Sequence, residues 1–399
     1  MTRRTRTLTL ALVLALVLDA RPACAYSVLA HEANVDALWD RTIAPLLRAR
    51  FPRATRQDLV AARAFAYGGS VIQDIGYYPF GSHFFSNLMH YVRSGDFVET
   101  LIADARTPAE YAFALGALAH YTADNTGHPE AVNRAVAIAY PKLRKKYGDR
   151  VTYAEAPANH VIVEFSFDVV QAAAGAYLSE AYHSFVGFQV ATDLLERAFR
   201  DTYGLDVKDV LGDQDFAFAT YRYSVSQLIP EITRAAWKSK ADEIRKIAPT
   251  IDENAFVYSY TKAQYDREYG TAYRTPGFFA KILAFLYRLL PKIGPLRPLS
   301  FKTPTPQAEA LFEQSFRDTR ARYARALEAV GEHRLDLPNT DFDTGKPSHV
   351  GEYSLADKTY RELTKRLKKK RSTDGIPKAL RDDIARFYAT SSSGAATDR

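Results

Sequence analysis

Cysteine is almost absent from the sequence, since Cys24 is the only one among 399 residues. It lies close to the start of the chain, in a segment that we expect to be removed. The remaining chain would form no disulfide bond and would have no thiolate to offer a metal ion. Any transition-metal site must therefore depend on imidazole, carboxylate or backbone groups.

The first 25 residues have the pattern of a secretory signal peptide. Arginines near the start precede an apolar run from Leu8 to Leu18, which is too short to span a bilayer comfortably. Ala23-Cys24-Ala25 supplies a cleavage signal, so we expect a secreted or periplasmic mature chain that begins at Tyr26. A lipid anchor on Cys24 is disfavoured, because Arg21-Pro22-Ala23 lacks the leucine-rich sequence of a lipidation site.

A strong excess of charge is also missing. The 53 basic and 46 acidic residues leave a net charge of +7, part of which belongs to the predicted signal peptide. This mild excess is compatible with a phosphate-bearing substrate but is no evidence for one.

The two-residue alternation of half-buried strands is nearly absent, and helical periodicity dominates. With 47% hydrophobic and 25% charged residues the composition is globular, and we predict an all-α, multi-helix fold. Thr107-Pro108-Ala109-Glu110 marks one helix start, with an N-cap, a first-turn proline and a capping-box glutamate. We predict a main helical domain at 26–240, a helical C-terminal extension at 241–389 with a long charged helix from Thr305 to Gly331, and a disordered tail at 390–399.

The segment HYTADNTGHP places His120, Asp124 and His128 at intervals of four residues. Residues four apart are neighbours on one helix face, so a helix would align them in a stripe. Gly127 and Pro129 predict that the helix ends before His128, because a residue before proline disfavours helical geometry. A straight helix would separate the two histidines by about 12 Å, whereas a turn after Asp124 could bring His128 to a neighbouring ion.

A second pair, His160 and Glu164, lies one turn apart on an apolar helix. Asp168 follows one turn later and either orients a ligand histidine or, as is more common, caps or solvates its own helix. Asp74, in the sequence QDIG, and His90, in NLMHYV, form a further candidate group.

Each of these groups alone is ordinary, because a single histidine in an apolar helix is more often a hydrogen-bonded core residue than a ligand. Their combination is unusual, since five of the nine histidines lie in apolar helical contexts. Three of these five have a carboxylate four residues away. Burying so many unpaired polar groups would cost about 1–3 kcal/mol each. Bound cations would remove that cost. The five histidines are His31, His90, His120, His128 and His160.

This combination resembles the zinc-dependent phospholipase C and single-strand nuclease superfamily. The similarity covers residues 26–164 strongly and the helices up to residue 240 loosely. It implies an all-helical domain with three zinc ions, in which the mature N-terminal residue ligates one ion through its amine and carbonyl. The resemblance assigns Asp74, His90, His120 and Asp124 to one zinc, Tyr26 and His31 with a shared Asp124 to its neighbour, and His128, His160 and Glu164 to the third.

The sequence departs from the family pattern in two places. Tyr26 stands where the family usually has tryptophan, which preserves the backbone ligands but puts any packing role of the indole in doubt. The gap from Asp124 to His128 is short and is closer to the pattern of glycosylphosphatidylinositol-specific phospholipase D. His83 is also a rival to His90 as the partner of Asp74, and we prefer His90 because its Leu-x-His-Tyr-Val setting is what the resemblance matches.

Imidazole and carboxylate groups suit zinc, which activates water and clamps the oxygens of a phosphate ester. Asp74 is the candidate to orient or deprotonate that water, although a ligand carboxylate is not a freely titrating base. We expect a phospholipase C that releases diacylglycerol and a phosphorylated headgroup. A single-strand nuclease of the same fold, favoured by the five-residue step from Tyr26 to His31, is an alternative. A non-catalytic zinc-binding surface protein is another. No protein partner can be inferred.

Three features could meet a phospholipid membrane, and the first and third of them could alternatively bind nucleic acid. An aromatic stretch runs through Tyr77-Tyr78-Pro79-Phe80 to Phe84 and Phe85. Residues 278–290 form an amphipathic cationic segment that would lie on a bilayer or, more commonly, in a core. A basic cluster at 365–371 could bind anionic headgroups or nucleic acid, or could simply be a solvated helix face.

Overall fold

The computed structural model describes residues 28–78, 81–173, 189–223, 303–369 and 375–389, with isolated positions at 237, 241–242 and 245. The predicted signal peptide, Tyr26, the segment 278–290 and the tail at 390–399 lie outside these residues. In the described part the regular elements are all helices, and the one β-type contact is an isolated bridge between Asp341 and Lys346. The predicted all-α fold is confirmed.

The helices of the first part are connected by short turns, two of which are π-helical and one 3₁₀. They are α1 (Val28–Leu38), a π turn (Trp39–Ile43), α2 (Ala44–Arg50), α3 (Arg56–Val71), a 3₁₀ turn (Ile72–Tyr77), α4 (His83–Tyr91), α5 (Ser94–Asp104), α6 (Pro108–Gly127), a π turn (His128–Val132), α7 (Asn133–Ala139), α8 (Pro141–Tyr147), α9 (Pro157–Ala173), α10 (Thr192–Tyr203), α11 (Val207–Leu211) and α12 (Gln214–Tyr223).

The helices described in the C-terminal extension are α13 (Pro306–Gly331), α14 (Ser354–Lys369) and α15 (Lys378–Ala389). The first of them matches the predicted long helix, and the Thr305 hydroxyl caps it by accepting a 3.2 Å hydrogen bond from Ala308 N. Such a cap stabilises a helix by about 1 kcal/mol.

The start of α6 agrees with its sequence signature in part. The Thr107 hydroxyl accepts a hydrogen bond from Glu110 N at 3.1 Å, as an N-cap should. The Glu110 carboxylate, however, accepts from Arg106 N rather than from the N-cap amide. The Glu110 carboxylate thus bonds to the amide of the residue before the N-cap, whereas in a strict capping box it would bond to the N-cap amide itself.

Helices α3 and α6 cross in very close contact, and this crossing positions the candidate site. A Cβ atom on Gly69 would lie 1.8 Å from Phe113 O, and one on Gly116 would lie 2.0 Å from Ala66 O. Real Cβ atoms do not approach backbone so closely, so both positions require glycine. The two helices then deliver Asp74, just after α3, and Asp124, on α6, to the same buried region.

The extension packs on the same hydrophobic core as the first part of the chain. Phe312 of α13 stacks on Phe167 of α9 with ring centroids 4.7 Å apart, and the Tyr323 hydroxyl donates to Leu115 O of α6 at 2.9 Å. The exact boundary between main domain and extension stays a prediction. Within the described residues, no helix has the length and apolar character needed to cross a bilayer.

Candidate metal centre

The first group of potential metal ligands combines residues from three places in the chain. Asp74 lies in the 3₁₀ turn after α3, His90 lies in the last turn of α4, and His120 and Asp124 are one turn apart on α6. One donor atom from each lies within 4.8 Å of the others, and no residue of the four is more than 2% exposed. The structure therefore brings together the four residues that the sequence assigns to one ion.

The separations between these donor atoms suit an ion placed between them. His90 Nε2 lies 3.3 Å from Asp74 Oδ1 and 3.4 Å from Asp124 Oδ2. His120 Nε2 lies 3.1 Å from Asp124 Oδ2 and 3.9 Å from Asp74 Oδ1. Zinc bonds of about 2.0–2.1 Å in a tetrahedron put neighbouring ligand atoms about 3.3–3.4 Å apart.

Unsatisfied polar atoms support the same interpretation. Both carboxylate oxygens of Asp74 and of Asp124, together with His120 Nε2, are buried without a hydrogen-bond partner. Native proteins rarely leave buried polar atoms unpaired, and a cluster of them requires an explanation. A bound cation supplies one, so the residues present fit a zinc ion.

Backbone carbonyls select which imidazole nitrogen faces the carboxylates. His90 Nδ1 is 2.9 Å from Ser86 O, and His120 Nδ1 is 2.9 Å from Ser70 O. A carbonyl only accepts, so each Nδ1 carries the hydrogen and donates it. In the neutral ring Nε2 is then left with a free lone pair for a metal, as is usual for metal-binding histidines.

His31 reaches the same carboxylates from the opposite side. Its Nε2 lies 3.5 Å from Asp124 Oδ1 and 3.8 Å from Asp74 Oδ2, and its ring stacks on His120 at 4.2 Å. The two oxygens of Asp124 thus face different histidines, which is the arrangement that a carboxylate shared between two ions would need. Asp74 has the same property, which the sequence did not predict. Tyr26, the other predicted ligand beside His31, lies outside the described residues.

Asp168 fixes the helix that carries His31. Its carboxylate accepts hydrogen bonds from Leu29 N at 2.9 Å and Ala30 N at 3.2 Å, at the start of α1. Asp168 therefore caps the start of α1, whereas the commoner of our two interpretations had it capping or solvating its own helix. A negative charge at a helix N-terminus is also favourable for the helix dipole.

The second group consists of His128, His160 and Glu164, whose donor atoms lie within 4.8 Å of one another. His160 Nδ1 is 3.2 Å from Glu164 Oε1, while its Nε2 donates to Val151 O at 2.6 Å. His128 Nδ1 and Glu164 Oε2 are buried without a hydrogen-bond partner. The set matches the predicted third ligand group and offers nitrogen and oxygen donors suited to zinc.

The α-helix ends before His128 as predicted, but the expected departure from helical geometry at this residue was wrong. The α-helix does end at Gly127, but His128 keeps helical dihedral angles of φ −62° and ψ −60°. The chain then continues as a π turn into α7. The wider turn accommodates the ring of Pro129, which would clash with the carbonyl four residues earlier in a regular helix. His128 Nε2 remains 3.9 Å from Asp124 Oδ2.

Asp343 joins this region from the C-terminal extension and was missed in the sequence analysis. It is 1% exposed, and its Oδ1 lies 3.2 Å from His128 Nε2. Next to it, Phe342 packs on His90 with ring centroids 5.0 Å apart. The segment TDFDTG has no helical periodicity and resembles an ordinary polar turn, so the only signal in the sequence was two aspartates close together.

The electrostatics of the first group are dominated by burial and by opposite charges in contact. Burial alone would lower the pKa of His90, but the carboxylates of Asp124 and Asp74 raise it to about 10. Burial would likewise raise the pKa of Asp124, but His120 and the other imidazoles hold it well below its usual range. Burial, followed by the charge of His120, lowers the pKa of His31 to about 4. At neutral pH, His90 therefore carries a proton when this group holds no metal.

In the second group the pKa values shift in the direction opposite to those of His90 and Asp124. Burial, followed by the negative charges of Asp124 and Asp74, raises the pKa of Glu164 well above its ordinary value. Burial, followed by the charge of His128, lowers the pKa of His160 to about 4. A neutral histidine beside a protonated glutamate is the expected metal-free state, and a cation would displace the glutamate proton.

The rival ligand His83 lies away from the donor groups. Its side chain is exposed and its ring contacts Tyr77 at 5.6 Å, whereas His90 lies inside the first group. Within the aromatic stretch, Tyr77 and Phe85 are at most 1% exposed, so our suggestion of a membrane interface was wrong for these two rings. Tyr78 and Phe84 are half-buried. Pro79 and Phe80 lie outside the described residues.

The described part of the basic cluster forms one face of α14. Lys365, Lys368 and Lys369 are exposed, while Leu367 is buried. Arg366 lies over the Phe84 ring at 4.6 Å. This pattern is typical of a solvated amphipathic helix.

Residues 37–211 match the family model described as zinc dependent phospholipase C. The match covers a little less than half of the chain and supports its membership of this family. No curated protein and no solved structure shows significant similarity to the chain. The match agrees with the predicted resemblance and indicates a zinc-dependent, phospholipase C-like hydrolase in general.

The zinc-dependent phospholipase C match includes both donor groups but not every residue of the centre. His31 precedes the matched segment, and Asp343 follows it by more than a hundred residues. The family segment therefore supplies most of the centre, while α1 and the extension add one side chain each.

Proposed function

We propose that the chain is a secreted zinc-dependent phospholipase C, which hydrolyses a phospholipid to diacylglycerol and a phosphorylated headgroup. The observation that supports this most is the junction of the two donor groups at Asp124. Its Oδ2 lies 3.1 Å from His120 Nε2 and 3.9 Å from His128 Nε2, so residues of the two ligand groups lie next to each other. Adjacent metal sites suit the cleavage of a phosphodiester.

Three zinc ions are the count that we propose. The first site would use Asp74, His90, His120 and Asp124, and the second His31 and Tyr26 with a shared carboxylate. The third would use His128, His160 and Glu164. Bound zinc supplies hydroxide from water at neutral pH and positive charge for the phosphate oxygens.

The protein's own residues orient the metal ligands and the attacking water. The hydrogen bonds from His90 and His120 to backbone carbonyls fix both rings, with Nε2 facing the carboxylates. Asp74 is the candidate to orient the attacking water. Because both of its oxygens face imidazole nitrogens, we assign it the role of orienting the water rather than that of a freely titrating base.

A competition assay tests the proposal. The mature protein, starting at Tyr26 and loaded with zinc, is given phospholipid vesicles and single-stranded DNA in one reaction, with and without a chelator. We expect chelator-sensitive release of diacylglycerol while the DNA stays intact. Asp74→Asn, with its zinc content measured in parallel, separates loss of chemistry from loss of metal.

The other outcomes discriminate against the proposal. Release of nucleotides with intact lipid would establish the single-strand nuclease instead. A zinc-loaded protein that cleaves neither substrate would support a zinc-binding surface protein without turnover.

Secretion is tested separately by expressing the full-length chain in a bacterial host. We expect the chain in the periplasm or medium, with an N-terminal sequence that begins at Tyr26. A cytoplasmic protein that keeps its first 25 residues would overturn this part of the proposal.

A further inference from the structure

We propose that Asp343, in the C-terminal extension, is a positioning residue for the third metal site and acts through His128. In this arrangement Asp343 accepts a hydrogen bond from His128 Nε2, and Nδ1 of the same ring binds the metal. The inference rests on the proposed zinc centre and adds a residue from outside the family-matched segment.

The first argument is the state of the His128 ring. Nδ1 is buried without a hydrogen-bond partner, while Nε2 lies 3.2 Å from Asp343 Oδ1. An ionised carboxylate only accepts, so the favourable neutral tautomer has its hydrogen on Nε2 and its lone pair on Nδ1. That lone pair is then available to an ion shared with His160 and Glu164.

The second argument is that the neighbouring histidines follow the same scheme. His120 donates from Nδ1 to Ser70 O and leaves a buried Nε2 without a partner. His160 donates from Nε2 to Val151 O and keeps Nδ1 beside Glu164. For His128 the acceptor is a carboxylate instead of a carbonyl. Such a partner fixes the ring and increases the basicity of the metal-binding nitrogen.

The third argument is that Asp343 is itself held firmly. Its Oδ2 accepts hydrogen bonds from Tyr91 OH at 2.9 Å and from Tyr353 OH. Its backbone carbonyl accepts from Asn133 Nδ2 at 2.8 Å, and its amide donates to Asp341 Oδ1 at 2.8 Å. These contacts leave Oδ1 directed at His128 and tie the extension to α4 and α7. The metal centre is therefore incomplete without the extension.

Zinc binding to the full mature chain tests the inference. Metal-free wild type, Asp343→Asn and Asp343→Ala are titrated with zinc against a competing chelator, and bound zinc is counted by mass spectrometry. We expect one site to weaken by about 10–100-fold in Asp343→Ala, with a smaller effect in Asp343→Asn, while the other sites are retained. Asp336→Asn, an exposed change in the same stretch, should bind like the wild type.

A second measurement reads the tautomer directly. Nitrogen-15 NMR of histidine-labelled, zinc-loaded protein should show His128 with its hydrogen on Nε2 and its Nδ1 bound to metal, the signal being assigned by its absence in His128→Gln. A hydrogen on Nδ1 would overturn the inference. Tyr353→Phe, which removes one support of Asp343, should preserve the tautomer.

These experiments distinguish failure of this inference from failure of the proposed function. If Asp343→Ala is folded by circular dichroism and keeps every zinc ion with unchanged affinity, the inference fails and the proposed function stands. If wild type binds no zinc, both fail.

Discussion

His120 Nδ1 donates a 2.9 Å hydrogen bond to the carbonyl of Ser70, and this bond joins α6 to α3 directly beneath the metal centre. The two helices approach each other closely at Gly69 and Gly116, where an added Cβ atom would overlap the backbone of the other helix. The packing of glycines in the core thus determines the orientation of a metal-binding ring several residues away.

The crossing predicts the effect of Gly116→Ala. The added methyl group would meet Ala66 O at 2.0 Å and Ser70 N at 2.9 Å, so the helices must separate. We expect a loss of at least about 2 kcal/mol in the free energy of unfolding, at the upper part of the range for overpacked cores. Zinc affinity should fall too, because the bond between His120 and Ser70 lengthens.

Thermal unfolding and zinc titration of the purified variant measure both effects. Gly375→Ala is the matched control, because a Cβ atom there would meet no atom within 4 Å. Equal stability of Gly116→Ala and wild type would show that the helices cross less closely than described.

A pair of histidine variants separates the two candidates for the partner of Asp74. We expect His90→Gln to lose zinc from the first site and to lose hydrolase activity, since His90 Nε2 lies 3.3 Å from Asp74 Oδ1. His83→Gln should keep both, because His83 is exposed and lies outside the donor groups. Zinc content and activity are measured on the same samples, and the reverse result would restore His83 as the ligand.

Much of the centre could be predicted from the sequence because its ligands lie on helices with regular spacing. His120 with Asp124 and His160 with Glu164 are four residues apart, and that interval makes them neighbours on any helix. The helical fold followed from the same periodicity. The resemblance then joined segments that are distant in the sequence.

The rest could not be predicted, because it depends on contacts between distant parts of the chain. Asp343 lies in a turn without periodicity, and only the packing of the extension brings it to His128. Asp168 supports the start of α1, more than a hundred residues earlier in the chain. At His128, we expected a residue before proline to leave helical geometry, but the chain continues as a π turn.

Asp168→Asn should weaken the support of α1. The carboxylate accepts hydrogen bonds from two amides at the helix start, and a charged acceptor contributes about 1.5–3 kcal/mol. The amide retains one acceptor atom, so we expect a loss of about 1–2 kcal/mol in stability. Because α1 carries His31, zinc at the second site should bind more weakly.

Chemical denaturation of the metal-free protein and zinc titration measure these two changes. Asp193→Asn, an exposed change at the start of α10, should alter stability by less than about 0.5 kcal/mol. Unchanged stability in Asp168→Asn would mean that α1 does not need this acceptor.

Zinc binding should release protons and should strengthen as the pH rises. The pKa of His90 is raised to about 10 in the metal-free centre, so at neutral pH this ring carries a proton that zinc must displace. The pKa of Glu164 is also raised well above its ordinary value, so its proton competes with zinc in the same direction. Below its pKa, each displaced proton makes the apparent zinc affinity fall about tenfold for every unit that the pH decreases.

Calorimetric titrations in two buffers of different ionisation enthalpy count the protons, and repeating them between about pH 6 and about pH 8 gives the slope. We expect at least one proton released per chain at neutral pH, and fewer in Glu164→Gln. Zinc affinity that is independent of pH, with no proton release, would mean that the carboxylates do not hold protons on these histidines.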